Sequence, residues 1–437
     1  MKPIKLLFST AAIGCSILSM GQDPVGISQE ELLQKVSNAN LQMKIAQRSF
    51  ESARADYRQS NALYLPNINA AHTAMTTTNP LMAFGSKLNQ ERLTAADFNP
   101  TLLNDPAKTN NYATKLEILQ PIVNVDGLFE RQAAKAKMES FALQTERTKE
   151  YLMLEATKAY MQLQLAYKAL TVLEKAKETA AAHLKLVQEY YRQGMLQKPD
   201  LLSVELRVNE IANQLQYASS NVRNASDYIA FLINEDNKQL VFKPTTDLDN
   251  QIKEQSLGLS FSENRKDILA MDKASDAYLK MFRSAKMKFL PRLNAFGSYE
   301  LYDTRLFNMD AKGYTLGAQL SWNLFDGYKS IAKMEKARID YQKASVEAEQ
   351  YTAQSRLEWN KTHRQLQDAE NKVSLASLGL EQAQEAYKIR LNRYKQGLEK
   401  TSDLLTTEAQ MLQKEMEQLQ AVFEYNFTQK YLQFLSK

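Results

Sequence analysis

Tyr191–Leu202 reads YRQGMLQKPDLL and returns 203 residues later as Tyr394–Leu405, YKQGLEKTSDLL. Tyr, Gln, Gly, Asp, Leu and Leu coincide without a gap. In each copy a Gly permits a tight reversal, and an Asp before a Leu pair can open the next helix. Outward from this pair, Asp126-Gly127 recurs as Asp326-Gly327. Leu65-Pro66-Asn67-Ile68-Asn69-Ala70 recurs as Leu290-Pro291-Arg292-Leu293-Asn294-Ala295. Each half therefore runs helix, Leu-Pro, strands, Asp-Gly, long helix, Gly turn, helix. A period of about 200 residues is too long for a solenoid repeat, so the chain reads as a duplicated domain. The first repeat spans 22–234 and the second 262–437, joined by a non-repetitive linker at 235–261.

The breakers fit this layout. The chain of 437 residues has 13 Gly and 10 Pro, where an average composition would supply about 12% of the two together. None lies between Gly127 and Gly194, and no Pro follows Pro291. The stretches Gly127 to Gly194 and Gly327 to Gly397 predict helices of about 100 Å. Shorter helices are predicted after each turn, and others before each Leu-Pro. An Ala-rich seam on the first long helix, including Ala133, Ala136, Ala156, Ala159 and Ala180, allows the close packing of a coiled coil. A solvated helical bundle has the same pattern.

The segments between helices alternate instead. In YTLGAQLSWNL, Tyr314, Leu316, Ala318, Leu320, Trp322 and Leu324 share one face opposite Thr315, Gln319, Ser321 and Asn323. Leu293, Ala295, Tyr299 and Leu301 oppose Asn294, Ser298 and Glu300; Tyr112, Leu116, Ile118 and Ile122 oppose Lys115 and Glu117. Strands are predicted at about 65–76, 111–125, 292–303 and 313–325. Apolar-out, polar-in alternation over about ten residues is the pattern of outer-membrane strands, and a soluble half-buried sheet shares it. Four strands cannot close a membrane barrel, and lipid does not tolerate an open edge. A membrane reading therefore requires several copies.

Met1–Gln22, MKPIKLLFSTAAIGCSILSMGQ, has a basic start, an apolar centre and small residues before a cut at 21/22. It reads as a secretory signal over residues 1–21. Cys15, the only cysteine, sits in a weak lipobox-like context and is a possible lipidation site. No other stretch of 18 or more apolar residues exists, so no transmembrane helix is expected. Hydrophobic residues at 44% exclude wholesale disorder, and one Cys excludes a disulfide scaffold. A net charge of +5 makes no case for nucleic acid. No catalytic, cofactor or metal signature is present, so neither enzyme activity nor a cofactor is expected.

The ordered motifs, each repeated, resemble the TolC family of outer-membrane efflux proteins. The insert NPLMAFGSKLNQERLTAADFNPTLLNDP, Asn79–Pro106, fits as well, and the resemblance spans the mature chain. It implies a mainly α fold with a β-barrel portion. Duplicated helix-strand-strand-helix-helix units would form a homotrimer, with a 12-stranded outer-membrane barrel continuous with a 12-helix periplasmic α-barrel. Residues 77–110 would be an extracellular loop, and 235–261 an equatorial belt. The implied function is a passive exit duct of a tripartite efflux or type I secretion system. It would contact outer-membrane lipid and dock an inner-membrane pump, of RND or ABC type, through a periplasmic membrane-fusion adaptor. A secreted coiled-coil structural or adhesive protein without a pore is the alternative.

The resemblance also implies roles for residues. Pro66, Asp126, Gly127, Pro291, Asp326 and Gly327 would mark the barrel–tunnel junction. Gln193, Gly194, Met195, Gln396, Gly397 and Leu398 would form the turns at the periplasmic mouth and meet the adaptor. Asp200 and Tyr394 match a family latch that holds the mouth shut, and a helix-capping role for Asp200 stands beside it. Glu399 stands where the family has a second, arginine latch. Asp403 matches one carboxylate ring of the aperture, while the second ring position is Thr406. Capping is equally open for Asp403.

Overall fold

The computed structural model describes residues 24–236, 240–249 and 259–437. The predicted leader with Cys15 and part of the predicted linker lie outside these residues. The elements are β1 (Val25–Ile27), α1 (Gln29–Ala39), α2 (Leu41–Gln59), β2 (Asn67–Thr77), α3 (Pro80–Asn89), α4 (Pro100–Asn104), β3 (Thr109–Val123), α5 (Val125–Arg192), α6 (Lys198–Leu232), β4 (Phe242–Pro244), α7 (Lys266–Met287), β5 (Arg292–Asp303), β6 (Ala311–Ser321), α8 (Lys329–Lys395) and α9 (Thr401–Leu435). The helix-strand-strand-helix-helix order thus occurs twice. At 68 and 67 residues, α5 and α8 are each about 100 Å long. Among the described residues no helix is long and apolar enough to cross a membrane.

The chain packs as two compact units that cut across both repeats. One contains α1, β1, α6, β4, the later parts of α5 and α8, and α9 up to Tyr431. Its α5 core positions are Ala159, Ala166, Leu173, Ala180 and Val187, all buried at steps of seven. On α6, Val204, Ile211 and Ala218 repeat the same step. A strict heptad keeps one seam facing the neighbouring helix only if the helices supercoil with a left hand. Small residues in that seam let the backbones approach. β1 pairs in parallel with β4, and the residues after β4 bind α5. Gln164 Nε2 donates to the carbonyls of Thr246 and Asp247 at 2.9 and 3.0 Å.

The other unit contains α2, the sheet, α3, α4, α7 and the first parts of α5 and α8. Its sheet is antiparallel with order β2-β3-β5-β6. β3 and β5 join the repeats, while β2 and β6 are edges. One face carries the row Ala70, Leu116, Tyr299 and Tyr314. The next row on the opposite face is Ala71, Lys115, Glu300 and Gly313. β6 stops at Ser321 rather than continuing to 325, because its partner strand begins at Arg292 and the preceding Pro291 has no N–H to extend the ladder. β3 ends at Val123 because Asn124 turns the chain into α5. Its Oδ1 accepts from Gly127 N at 3.1 Å. The insert is not a bare loop. α3 starts on Pro80 behind Asn79, whose side chain accepts from Met82 N. Gln90 Nε2 then donates to Asn110 O, Asn111 Oδ1 and Asp303 O within 3.0 Å.

The last turn of α9 is fastened in this second unit. Arg147 Nη1 donates to Phe434 O and Arg265 Nη1 to Leu435 O. These cations therefore satisfy helix-end carbonyls and face the negative end of the dipole. Arg147 also stacks over the Phe434 ring, 3.5 Å from its centroid. Asp267 neutralises both arginines, 2.6 Å from Arg265 Nη2 and 3.4 Å from Arg147 Nε. Tyr351 adds a hydroxyl donor at 2.8 Å. Burial raises the Asp267 carboxyl, but the hydrogen bonds from Arg265 and Tyr351 and the charge of Arg147 outweigh it and hold it below the usual range. Its stabilisation is therefore complete above the ordinary carboxylate pKa of about 3.9 and is lost as pH falls through the lower folded-state value. Asp267→Ala leaves the buried Arg265 guanidinium without its carboxylate, while Arg147 keeps Glu150 at 2.8 Å. It should cost about 3 kcal/mol, measured as a lowered thermal unfolding midpoint at neutral pH.

Candidate functional site at the helical turns

Both long helices end in the same motif. Gly194 N donates to Tyr191 O and Met195 N to Tyr190 O; Gly397 N donates to Tyr394 O and Leu398 N to Arg393 O, all at 2.9–3.0 Å. This is the paired closure of the last carbonyls in a Schellman turn. It needs a left-handed residue, and Gly194 and Gly397 have φ of +72° and +75°. Met195 and Leu398 are left exposed at the tips.

Asp200 and Asp403 occupy equivalent places in the first turns of α6 and α9. Asp200 Oδ2 accepts from Gln197 N at 3.2 Å, so it caps α6. Asp403 Oδ1 accepts from Ser402 Oγ at 3.3 Å. Thr406 donates its hydroxyl to Ser402 O, as Ser203 does to Pro199 O. Tyr394 is buried against Val187, Val204 and Leu404, with its hydroxyl 3.4 Å from Thr401 Oγ1. Within the chain it makes no hydrogen bond to Asp200. Burial pushes the Tyr394 phenol up, and the Asp200 charge adds to this.

Two features here were not legible in the motifs. Glu399, read as the loss of a latch, accepts from Arg390 Nη1 at 2.6 Å and Arg393 Nε at 2.9 Å. It clamps the second turn within the chain. Arg390 and Arg393 lie nine and six residues before Glu399, a spacing outside the helical pairs, so only the turn brings them together. Behind the turns, His183 of α5 meets Glu408 of α9 at 2.9 Å and Tyr387 of α8 at 3.3 Å. Arg207 of α6 lies 3.8 Å from the other Glu408 oxygen. Burial, then the Glu408 charge, pushes the Tyr387 phenol up to about 12. These residues are far apart in sequence, and no local pattern marks them.

The junction residues lie in the other unit. Pro66 and Pro291 each stand directly before the first strand of their repeat. Asp126 is buried and paired with Arg292, which joins the start of α5 to β5. Asp326 instead accepts from the backbone N–H and hydroxyl of Ser330, opening α8. The two Asp-Gly pairs are therefore similar in sequence but different in work: one ties helix to sheet and the other caps a helix.

The fold is that of known outer-membrane channels. CusC matches with a TM-score of 0.81 at 16% identity, over 93% of this chain and 92% of that one. The Campylobacter jejuni CmeC outer membrane channel matches at 0.79 and 15%, over 93% and 85%. The Vibrio cholerae outer membrane protein VceC matches at 0.79 and 16%, over 93% and 96%. No curated protein matches by sequence. Residues 260–434, essentially the second repeat, match the family model for outer membrane efflux protein.

The pore-free coiled-coil alternative finds no support. Glu399 should stiffen the second turn. Glu399→Ala removes two charge-assisted bonds, each partly exposed, worth together about 1 kcal/mol. Amide hydrogen exchange across Gln396–Lys400 should rise about fivefold, read by mass spectrometry.

Proposed function

We propose that three copies assemble into a passive exit duct served by an inner-membrane pump, of RND or ABC type, through a periplasmic membrane-fusion adaptor. The observation that carries this reading is the open four-stranded sheet. Its edges β2 and β6 are unpaired among the described residues, and Tyr314, Leu316 and Leu320 of β6 are exposed. Free edges are not sustained in hydrocarbon. Two copies would give eight strands, whose interior side chains fill, whereas three give twelve and leave a conduit. α6 and α8 also expose apolar residues, among them Leu206, Tyr217, Phe231, Leu357 and Leu375, which suits burial against neighbouring copies. The protein should extract only with detergent from outer membranes and have the mass of three chains. A monomer released without detergent would overturn the reading.

The turns are proposed to form the periplasmic mouth, with Met195 and Leu398 as adaptor contacts among Gln193–Met195 and Gln396–Leu398. Residues 77–110 are proposed to lie outside the cell, and 235–261 at the equator of the tunnel. Asp200 and Tyr394 would latch the mouth, assisted by the Glu399 clamp. The function supplies no energy of its own: a polar bore passes cargo that a pump delivers. Asp403 would place three carboxylates around the aperture. Asp403→Asn should weaken block by trivalent cations added on the periplasmic side by at least about tenfold, measured in planar bilayers. Unchanged block would remove Asp403 from the aperture.

A further inference from the structure

In the middle of the sheet, Lys115, Glu117 and Glu300 place their charges on one face. Lys115 sits directly across from Glu300 in the β3–β5 register, and Glu117 across from Ser298. Side chains of directly paired residues share a face. The row of Lys115 and Glu300 continues to Ala71 and Gly313, and that of Glu117 and Ser298 to Asn69 and Thr315. The rows between them on the opposite face are Ala70, Leu116, Tyr299 and Tyr314, and Ile68, Ile118, Gly297 and Leu316. An apolar face with aromatics belongs against lipid, and the polar face toward a lumen.

On that polar face Lys115 Nζ lies 2.6 Å from Glu117 Oε1 and 3.4 Å from Glu300 Oε1. Tyr302 and Ser298 donate hydroxyls to Glu300, which fixes its carboxylate in place. The other charged strand residues do not add to this cluster. Arg292 is neutralised by Asp126 at the far end of the strand. Asp303 accepts from backbone N–H groups of the β5–β6 loop, and Lys312 pairs in the row of Leu301 on the apolar face. The middle of the polar face therefore carries one lysine against two glutamates, a net charge of −1 per chain. Lys115 and Glu117 keep side-chain exposures of 41% and 50%, so their charges are presented to the lumen rather than buried.

We infer that the Lys115–Glu117–Glu300 cluster gives the barrel lumen a cation preference of its own, separate from the periplasmic mouth. The inference rests on the exit-duct reading. Three copies place three such clusters around one lumen, and a pore lined by one sign of net charge enriches the counter-ion. Because the cluster is mixed, it makes a signed prediction. Removing the lysine raises the net charge to −2 per chain, and removing one glutamate lowers it to zero.

The test uses the full-length protein in planar bilayers, with Asp403→Asn as background so that the mouth contributes no carboxylate ring. Reversal potentials are read in a KCl gradient near 0.1 M. Lys115→Gln should raise the potassium-to-chloride permeability ratio at least about twofold, and Glu117→Gln should lower it by a similar factor. Lys115→Arg, which keeps the charge and should fold alike, should leave the ratio unchanged. Near 1 M salt, where the Debye length is about 3 Å, the differences should collapse. Channels of normal conductance in which both Gln variants shift the ratio the same way, or not at all, overturn the inference alone. A full-length protein that forms no channel overturns the exit-duct reading and this inference with it.

Discussion

A strand edge in hydrocarbon has nowhere to place its N–H and C=O groups, since no water is present to receive them. This constraint governs the rest of the molecule. Among the described residues four strands form one sheet, with β2 and β6 unpaired on their outer sides, and a face of Tyr, Leu and Ile that favours lipid over water. A single copy satisfies neither the edges nor the lumen. In the proposed trimer the sheet is one third of a barrel, and the remaining elements hold it in place.

How they hold it differs between the two repeats. Arg292 of β5 binds Asp126 at the start of α5, so the strand of one repeat is tied to the helix of the other. Asp326, the sequence counterpart of Asp126, is turned inward to cap its own helix. The cluster of Arg147, Arg265 and Asp267 fastens the last turn of α9 in the same manner, by drawing together residues of different elements. At the turns, Glu399 with Arg390 and Arg393 closes the second reversal without help from another chain. Duplication supplied equivalent backbones, and side-chain divergence gave the copies different duties.

The helices obey a local rule, the strands a pairing rule, and this sets what could be read without coordinates. The Gly-marked turns, the long helices between breakers and the alternating strands all depend on residues near one another in sequence. Their places were legible, apart from ends set by a partner. β6 stops where Pro291 denies it a donor, and β3 stops where Asn124 opens a helix. The insert between β2 and β3 read as a loop, yet Asn79-Pro80 and Asn99-Pro100 are helix starts that the Pro content disguised. The buried His183–Glu408–Tyr387 contact had no signal at all, because its members lie on three different helices and no local pattern joins them.

By itself, then, the sequence determined the duplication, the turn chemistry, the helix lengths and the two-faced strands, because each follows from φ/ψ preference or from periodicity along one segment. Only the tertiary structure decided which charges meet. Lys115 faces Glu300 because of a register across the sheet, Asp126 finds Arg292 across the repeat boundary, and Tyr394 turns to Thr401 rather than to Asp200. Electrostatic and hydrogen-bonded partners act over a few ångströms in space, and separation along the chain carries no record of that distance.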